Sequence, residues 1–176
     1  DIKDLKIISC HLGNGSSITA IKNGKAIDTS MGLTPLGGIM MGTRSGSMDP
    51  SVIIKMAEEK SLSLEEIGNI LNKESGLKGV SGVGSDDRDI LRAENNGNKR
   101  AKLAHEMMIY KITKYIGGYI AILGGCDAII FTGGIGEHQW MHREKICNHF
   151  EFMGLELDDE KNKNAKLGKE EIISKN

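Results

Sequence analysis

Two glycine turns close together near the N-terminus constrain the fold more than any other feature of the sequence. Leu5–Cys10 is mostly apolar and predicts a buried strand, which leads into the tight turn Gly13-Asn14-Gly15. Residues 16–22 alternate as a returning strand would, Asn23-Gly24 is a strong hairpin signal, and residues 26–30 predict another strand. We therefore expect three antiparallel strands to open the chain.

Helices are predicted for the middle of the chain. Residues 31–47 lack periodicity and predict an ordered loop. Asp49-Pro50 predicts a helix start with Asp49 as the N-cap, and this helix runs to about Glu59. Ser63–Glu66 has the form of a capping box and introduces a helix to about Asn72. Residues 73–85 are glycine-rich and predict a second loop.

The later part of the chain predicts a strand between two helices. Asn98–Leu123 is the longest helix candidate, and Gly124-Gly125 ends it. Asp127–Thr132 is a short apolar strand, Gly133–Glu137 a second glycine turn, and His138–Phe150 another helix. The predicted buried face of the long helix consists of Ala104, Met108, Ile112, Tyr115, Tyr119 and Ile122.

Charge and cysteine content exclude several classes of function. The 23 Lys+Arg against 24 Asp+Glu give a net charge of −1, so we expect neither a nucleic-acid nor a membrane partner. Three cysteines without a CxxC spacing favour a reduced, cytoplasmic protein. Because the sequence lacks an initial Met and enters a core strand at once, we expect a piece of a longer protein. Residues 161–176 are polar, and we expect them to be poorly ordered.

The segment Cys10–Ser17 is the first candidate for chemistry. Its glycines allow backbone N–H groups to approach an anion closely, and His11 and Asn14 add side-chain donors, so a phosphate is the natural partner. It matches neither the Walker A nor the GxGxxG pattern. A plain β-hairpin turn explains the same spacing, and the two interpretations stay open on the residues alone.

A second candidate is the apolar run Ile129–Phe131 followed by the glycine turn at residues 133–137. A strand that feeds a glycine turn at a helix N-terminus is a common way to hold a nucleotide. A tight strand-to-helix connection needs glycine as well, and the residues alone favour that alternative slightly.

Two further candidates carry arginines. Arg44 lies among small residues and can present its planar fork to phosphoryl oxygens, although a surface salt bridge or a cap is the commoner role. In Asp86-Asp87-Arg88 the carboxylates can accept hydrogen bonds from a ribose and the arginine can stack on a base. The acidic first turn of a helix explains the same residues.

Three histidines have the spacing of metal ligands. His138, His142 and His149 share a face of the predicted helix, but HExxH is absent. A solvated polar face is the better interpretation, and we expect no metal ligand within this chain.

In this order, the segments resemble the acetate/butyrate kinase family from Leu5 to about Gly168. The matching series is residues 11–17, 28–36, 41–44 and 132–137. The resemblance implies an α/β fold of the ribonuclease-H-like type shared by sugar kinases, Hsp70 and actin, with a mixed sheet and flanking helices. It also implies that residues 1–176 are a single nucleotide-binding domain, one part of a longer two-domain kinase.

The resemblance implies reversible phosphoryl transfer between ATP and acetate, by way of acetyl phosphate and ADP, with Mg²⁺. It assigns Arg44 to the stabilisation of charge on the transferring phosphoryl group. It also implies a homodimeric parent. The nucleotide contacts that it implies are His11, Leu12, Gly13, Asn14, Gly15, Asp86, Asp87, Arg88, Gly134, Ile135, Gly136, Glu137 and His138.

The sequence departs from the family pattern at two positions, with His138 where Asn is expected and Gly37 where Glu is usual. The family's catalytic aspartate, second arginine, another histidine and acyl pocket belong to an N-terminal half without a counterpart here. Its Mg²⁺-linked glutamate lies beyond Asn176. We therefore expect the isolated chain to be inactive. The alternatives are a butyrate or propionate kinase, or a non-catalytic nucleotide-binding or interaction module.

Overall fold

The computed structural model describes residues 4–175, and this stretch divides into two units. The first unit comprises the chain up to Gly13, Ile18–Thr29 and the chain from Ile109 onward. The second unit comprises Asn14–Ser17 and Ser30–Met108.

The first unit contains a mixed four-stranded sheet. Its strands are β1 (Lys6–Leu12), β2 (Ser16–Lys22), β3 (Lys25–Thr29) and β4 (Ala128–Thr132), in the order β3-β2-β1-β4. β2 and β3 are antiparallel, whereas β1 and β4 are parallel. The first two residues of β2 belong to the second unit.

Alternating burial explains why the opening residues form strands. Ile8, Cys10 and Leu12 of β1 are buried, and so are Ile18 and Ala20 of β2, which is the period-two pattern of a sheet with one covered face. At the hairpin, Asn23 and Gly24 have φ angles of 55° and 75°, as the type I′ turn requires. The predicted opening strands and hairpin are therefore confirmed, although β1 begins one residue later and ends two residues later than expected.

The second unit is helical after an irregular loop. No helix or strand occurs in residues 31–47, as predicted. The unit's helices are α1 (Ser51–Lys60), α2 (Leu64–Asn69) with a π-helical continuation at Ile70–Glu74, α3 (Gly76–Ser81) and α4 (Asp87–Asn95).

The helix starts of this unit test the capping predictions. The capping box is confirmed, since Ser63 Oγ accepts from Glu66 N and Ser63 N donates to Glu66 Oε2 at 2.8 Å. The predicted N-cap Asp49 is wrong by one position, because Pro50 is the N-cap of α1. The Asp49 carboxylate nevertheless accepts from Ser51 N at 2.8 Å.

The predicted loop over residues 73–85 is also wrong, because α3 lies within it. Its glycines suggested a loop, yet tertiary contacts satisfy the first turn of the helix. Leu77 N donates to Met41 O at 2.8 Å, and Lys78 N donates to Gly42 O at 2.9 Å. These amides have no partner within an isolated helix, so the neighbouring loop stabilises α3.

The predicted long helix is confirmed as α5 (Lys99–Leu123). It begins in the second unit and ends in the first. The predicted buried face is right at Ala104, Met108, Ile112 and Tyr119, whereas Ile122 is 57% exposed. Ile116 and Leu123 are buried instead, because the buried stripe continues from Ile112 in steps of four, three and four residues.

Short helices complete the first unit. They are α6 (Gly133–His138), α7 (Trp140–Asn148), a 3₁₀ turn at Glu151–Met153 and α8 (Asp159–Asn164). The predicted glycine turn at residues 133–137 is therefore helical. The predicted helix from His138 to Phe150 begins later, at Trp140, and ends earlier, at Asn148. Ser174, within the polar end of the chain, forms an isolated antiparallel bridge with Leu157.

Three strands, a long helix, a parallel fourth strand and further helices follow one another along the chain. This order, in a mixed sheet with flanking helices, is the ribonuclease-H-like arrangement of sugar kinases, Hsp70 and actin, so the predicted fold class is confirmed. Across residues 4–175, no helix combines the length and the apolar character that a bilayer crossing needs.

Candidate functional site

In the first unit, the parallel strands β1 and β4 end side by side. His11 pairs with Thr132 in register, and His11 Nδ1 lies 3.0 Å from Thr132 Oγ1. The His11 side chain is exposed, whereas Leu12 is buried. Ligands of open α/β sheets bind outside the carboxyl ends of such strands, which is where this histidine lies.

The glycine turn after β4 lies directly against the end of β1. Gly133 has a φ angle of 79°, and a Cβ atom there would lie 2.7 Å from Leu12 O, so no other residue fits without strain. Gly136 is buried beside Phe131. Gly134 is exposed, with no neighbouring atom within 4 Å of a Cβ position. The turn is therefore packed on one side and open at Gly134.

A buried arginine holds the end of this turn. Arg143 on α7 is 4% exposed, and its Nη1 donates to Gly136 O and Glu137 O, both at 2.7 Å. Its Nε and Nη2 donate to Asn162 Oδ1 and Asn162 O at 2.7 and 2.6 Å. Burial lowers the pKa of this guanidinium. Its spacing of four residues before the buried Cys147 was the one sign in the sequence of an inward-facing arginine.

The last two residues of α6 face different partners. Glu137 Oε2 accepts from Gly168 N at 3.2 Å. His138 Nδ1 lies 2.8 Å from Gly134 O, one helical turn earlier, and the His138 side chain is exposed. The His138 side chain, at the position where Asn is expected, therefore folds back on its own helix. Ile135 is half-buried.

In the second unit, the structure brings Asn14, Gly42 and Ser85 together. Gly42 N donates to Asn14 O at 3.2 Å. A Cβ atom on Gly42 would overlap Asn14 Oδ1 and lie 3.3 Å from Ser85 O. Only glycine permits this approach of the Asn14 side chain, so the predicted phosphate residue and the predicted arginine loop meet here.

Arg44 has few partners within its unit. Its side chain is half-buried, and its Nη1 lies 3.3 Å from the Cβ position of Gly15. The same nitrogen lies 3.4 Å from Pro35 O and 3.7 Å from Met41 Sδ, which are long, weak contacts. Within the described residues, it forms no salt bridge. Its planar fork therefore retains donors for an anion.

Backbone hydrogen bonds hold the loop that carries Arg44. Ser75 N donates to Thr43 O at 2.9 Å, and Ser45 N donates to Leu71 O at 3.0 Å. The loop is thus fixed on both sides of the arginine. An open cavity of about 600 Å³ lies beside it. The lining residues are Thr43, Arg44, Glu65, Gly68, Asn69, Asn72 and Lys73.

Asp86 and Arg88 form an exposed pair at the start of α4. Arg88 Nε and Nη2 donate to the Asp86 carboxylate at 3.0 and 2.6 Å, and Arg88 N donates to Asp86 Oδ1 at 2.9 Å. These hydrogen bonds lower the pKa of Asp86 to about 2. Asp86 is also the N-cap of α4, so the helix-start alternative is right for it, and a ligand role is compatible with its exposure.

Asp87 turns inward instead. Its carboxylate is 5% exposed and lies 3.2 Å from Nε2 of the buried His105, whose Nδ1 lies 2.5 Å from Glu94 Oε2. Burial alone would lower the pKa of His105, but its hydrogen bonds to the two carboxylates raise it. The adenosine contact of Asp87 stays a prediction, and its buried carboxylate does not favour it.

The predicted histidine face is wrong. His138 belongs to α6 rather than α7, and His142 is only 1% exposed, so the three histidines do not line a solvated helix face. The break at Gln139 between the two helices, which the sequence did not signal, causes the difference.

Comparisons with known proteins identify the family of this chain. A model of the acetokinase family matches residues 1–176. The chain is 54% identical over 174 residues to the acetate kinase of Caldicellulosiruptor saccharolyticus, covering 99% of this chain and 44% of that protein. It is 55% identical over 174 residues to the acetate kinase of Desulforamulus reducens, covering 99% and 43%. The chain thus spans less than half the length of the curated relatives that it matches.

Two solved structures also match over nearly the whole chain. The acetate kinase of Porphyromonas gingivalis superposes with a TM-score of 0.95 at 51% identity, over 99% of this chain and 44% of that chain. A propionate kinase of Francisella tularensis superposes with a TM-score of 0.88 at 41% identity, over 98% and 44%. With a family model over its whole length and relatives more than half identical, the chain belongs to the acetokinase family.

Proposed function

We propose that this chain is the nucleotide-binding part of a kinase that transfers a phosphoryl group reversibly between ATP and acetate. The proposal covers the activity of the longer protein, with ATP or ADP and acetate or acetyl phosphate as its substrates. It extends to the homodimeric, cytoplasmic parent that the family resemblance implies. Membership of the acetokinase family and the named acetate kinase relatives support it.

The proposal rests mainly on the few contacts that Arg44 makes. Within the described residues this half-buried guanidinium makes two long contacts, so most of its N–H donors remain available to an anion. Phosphoryl transfer spreads negative charge over the equatorial oxygens of the group in transit, and a planar cationic fork stabilises that charge. A module that only bound a nucleotide would not need such a residue.

The nucleotide contacts are proposed unit by unit. In the first unit, the exposed His11 and the open turn at Gly134–His138 are suited to nucleotide phosphates, because they place a ring nitrogen and small residues at the strand ends. In the second unit, Asn14 and Gly15 lie beside the Arg44 loop, and the exposed Asp86–Arg88 pair is suited to ribose and base. The buried carboxylate of Asp87 contacts His105 instead.

Mg²⁺ fits this chain only as a companion of the nucleotide. The groups proposed for phosphate contact are imidazole, amide, backbone N–H and guanidinium, which suit anions rather than a divalent cation. Among the residues proposed for nucleotide contact, the carboxylate of Asp86 is already paired with Arg88, and that of Glu137 accepts from Gly168 N. Bound Mg²⁺ would neutralise phosphate oxygens, and we assign it no ligand in this chain.

Propionate is the second candidate acceptor. The superposition on a solved propionate kinase supports it, although the identity is lower than for the acetate kinase structure. The acyl preference of the longer protein decides between the two, because the groups identified in this chain suit phosphate and nucleotide rather than an acyl tail.

The test is ATP formation from acyl phosphate and Mg-ADP by the full-length protein that carries this chain. We expect acetyl phosphate to be used with a higher kcat/KM than propionyl phosphate, and we expect the isolated 176 residues to give no turnover. Nucleotide binding without turnover by the full-length protein would favour a non-catalytic module. If calorimetry detects no Mg-ADP binding at millimolar concentration, an interaction role is favoured instead.

A further inference from the structure

A buried asparagine lies in the otherwise polar and exposed end of the chain. Asn162 on α8 is 1% exposed, whereas its helix neighbours Lys161, Lys163 and Asn164 are exposed. Asparagine is rarely buried to this degree unless its polar atoms are all engaged. A solvated tail therefore does not explain the burial of Asn162.

Each polar group of the Asn162 side chain has a partner. Oδ1 accepts from Arg143 Nε at 2.7 Å, and Nδ2 donates to Trp140 O at 3.0 Å. The backbone carbonyl of Asn162 accepts from Arg143 Nη2 at 2.6 Å. One residue of α8 thus fixes one edge of the Arg143 guanidinium and ties itself to the start of α7.

The remaining terminal nitrogen of Arg143 faces the glycine turn. Nη1 donates to Gly136 O and Glu137 O, both at 2.7 Å. A guanidinium is planar and rigid, so fixing one edge fixes the direction of the other. Asn162 therefore determines where the carbonyl end of α6 is held.

A second hydrogen bond joins the glycine turn to the stretch that follows α8. Gly168 N, four residues after the end of α8, donates to Glu137 Oε2 at 3.2 Å. The stretch from Asn162 to Gly168 thus braces the turn at two points, one through a buried arginine and one directly.

We propose that Asn162 is a positioning residue for the turn Gly133–His138, acting through Arg143, and that it sets the affinity of the turn for nucleotide. This inference rests on the proposed nucleotide role of the turn. Asn162 itself touches no reacting atom in this assignment. Its loss should therefore weaken nucleotide binding and leave the phosphoryl step nearly intact.

The test compares three variants of the full-length kinase carrying this chain. Asn162→Ala removes the acceptor for Nε and leaves that buried donor unpaired, so we expect KM for Mg-ADP to rise about tenfold. We expect kcat and KM for acetyl phosphate to stay within about twofold of the wild type, the split that separates positioning from general damage. Asn162→Asp keeps the acceptor and should restore KM for Mg-ADP to within about threefold.

Asn164→Ala is the matched control, because Asn164 lies on the same helix but is exposed, and within residues 4–175 its side chain donates only to Glu160. We expect this variant to behave as the wild type. Hydrogen exchange of the amides of residues 134–138 gives an independent readout: protection should fall in Asn162→Ala and be retained in Asn164→Ala. Should Asn162→Ala not fold, Asn162→Ser removes the same acceptor with a smaller change and carries the same expectation.

The outcomes separate this inference from the proposed function. If the wild-type protein binds no Mg-ADP, the nucleotide role itself fails. If the wild type binds Mg-ADP and Asn162→Ala has the wild-type KM and wild-type exchange, the positioning role alone is overturned. A lower kcat, a higher KM for acetyl phosphate and a lower melting temperature, all found together, would also contradict the positioning role, since that pattern marks a purely structural residue.

Discussion

Two arginines, each beside a glycine-rich segment, differ in how fully the protein satisfies them. Arg143 in the first unit makes four hydrogen bonds of 2.6–2.7 Å to neutral oxygens. Arg44 in the second unit makes two long contacts, to a carbonyl at 3.4 Å and a sulfur at 3.7 Å. Arg143 is almost fully buried, whereas Arg44 is half-buried beside an open cavity.

The difference separates an arginine that the protein uses for structure from one that we propose for function. A buried guanidinium that gives four of its five N–H donors to the protein has little capacity for a ligand, and its loss leaves buried carbonyls unpaired. A guanidinium with spare donors contributes little to stability and is available to a phosphoryl group. Replacing Arg143 should therefore mainly reduce stability, whereas replacing Arg44 should mainly reduce activity.

The largest stability effect should come from Arg143. We expect Arg143→Met to lower the free energy of unfolding by about 2–4 kcal/mol, because it leaves the carbonyls of Gly136, Glu137 and Asn162 without their donors. Arg44→Met should change it by less than about 0.5 kcal/mol. Urea unfolding of both variants measures the contrast. Equal losses for the two would remove the distinction between them.

A smaller effect should distinguish two adjacent glycines of the turn that Arg143 supports. Gly133→Ala should lower the free energy of unfolding by about 1–3 kcal/mol, because its φ angle is positive and its Cβ would meet Leu12 O. Gly134→Ala, at a helical position open to solvent, should be neutral or stabilising by up to about 1 kcal/mol. Thermal melts of the pair provide the measurement, and identical shifts would argue against the close approach of β1.

The smallest effect concerns pH at the Asp86–Arg88 pair. The folded pKa of Asp86, about 2, is below its ordinary value of 3.8, so ionised Asp86 stabilises the fold above the unfolded pKa. That contribution is lost as the pH falls from the ordinary value through about 2. Asp86→Asn keeps a capping side chain without the charge. The difference in urea midpoint between wild type and variant should narrow on acidification, and a constant difference would contradict the pairing.

Local signals explain what the sequence could predict. The hairpin at Asn23-Gly24, the capping box at Ser63–Glu66 and the extent of α5 all follow from residues close in the chain, and the structure has them. Phosphate-compatible residues such as His11 and Asn14 were recognisable for the same reason, because a glycine-rich strand end is a local pattern.

Long-range contacts explain what the sequence could not predict. α3 was hidden by its glycines, since the partners of its first amides are carbonyls more than thirty residues earlier. Arg143 was overlooked because its partners lie on α6 and α8, and its spacing from Cys147 does not by itself mark a hydrogen-bonded core position. The inward turn of Asp87 depends on His105, eighteen residues later. In each case a tertiary partner overrides the local pattern.

The central claim is that Arg44 is kept for the phosphoryl group in transit. The measurement that tests it most directly is the steady-state rate of ATP formation from acetyl phosphate and Mg-ADP by the full-length protein carrying Arg44→Ala. Arg92→Ala, an exposed arginine paired with Asp89 on α4, is the control. We predict a kcat lowered about 10²–10³-fold for Arg44→Ala with a wild-type melting temperature, and an unchanged rate for the control. A kcat of Arg44→Ala within about twofold of the wild type would contradict the account.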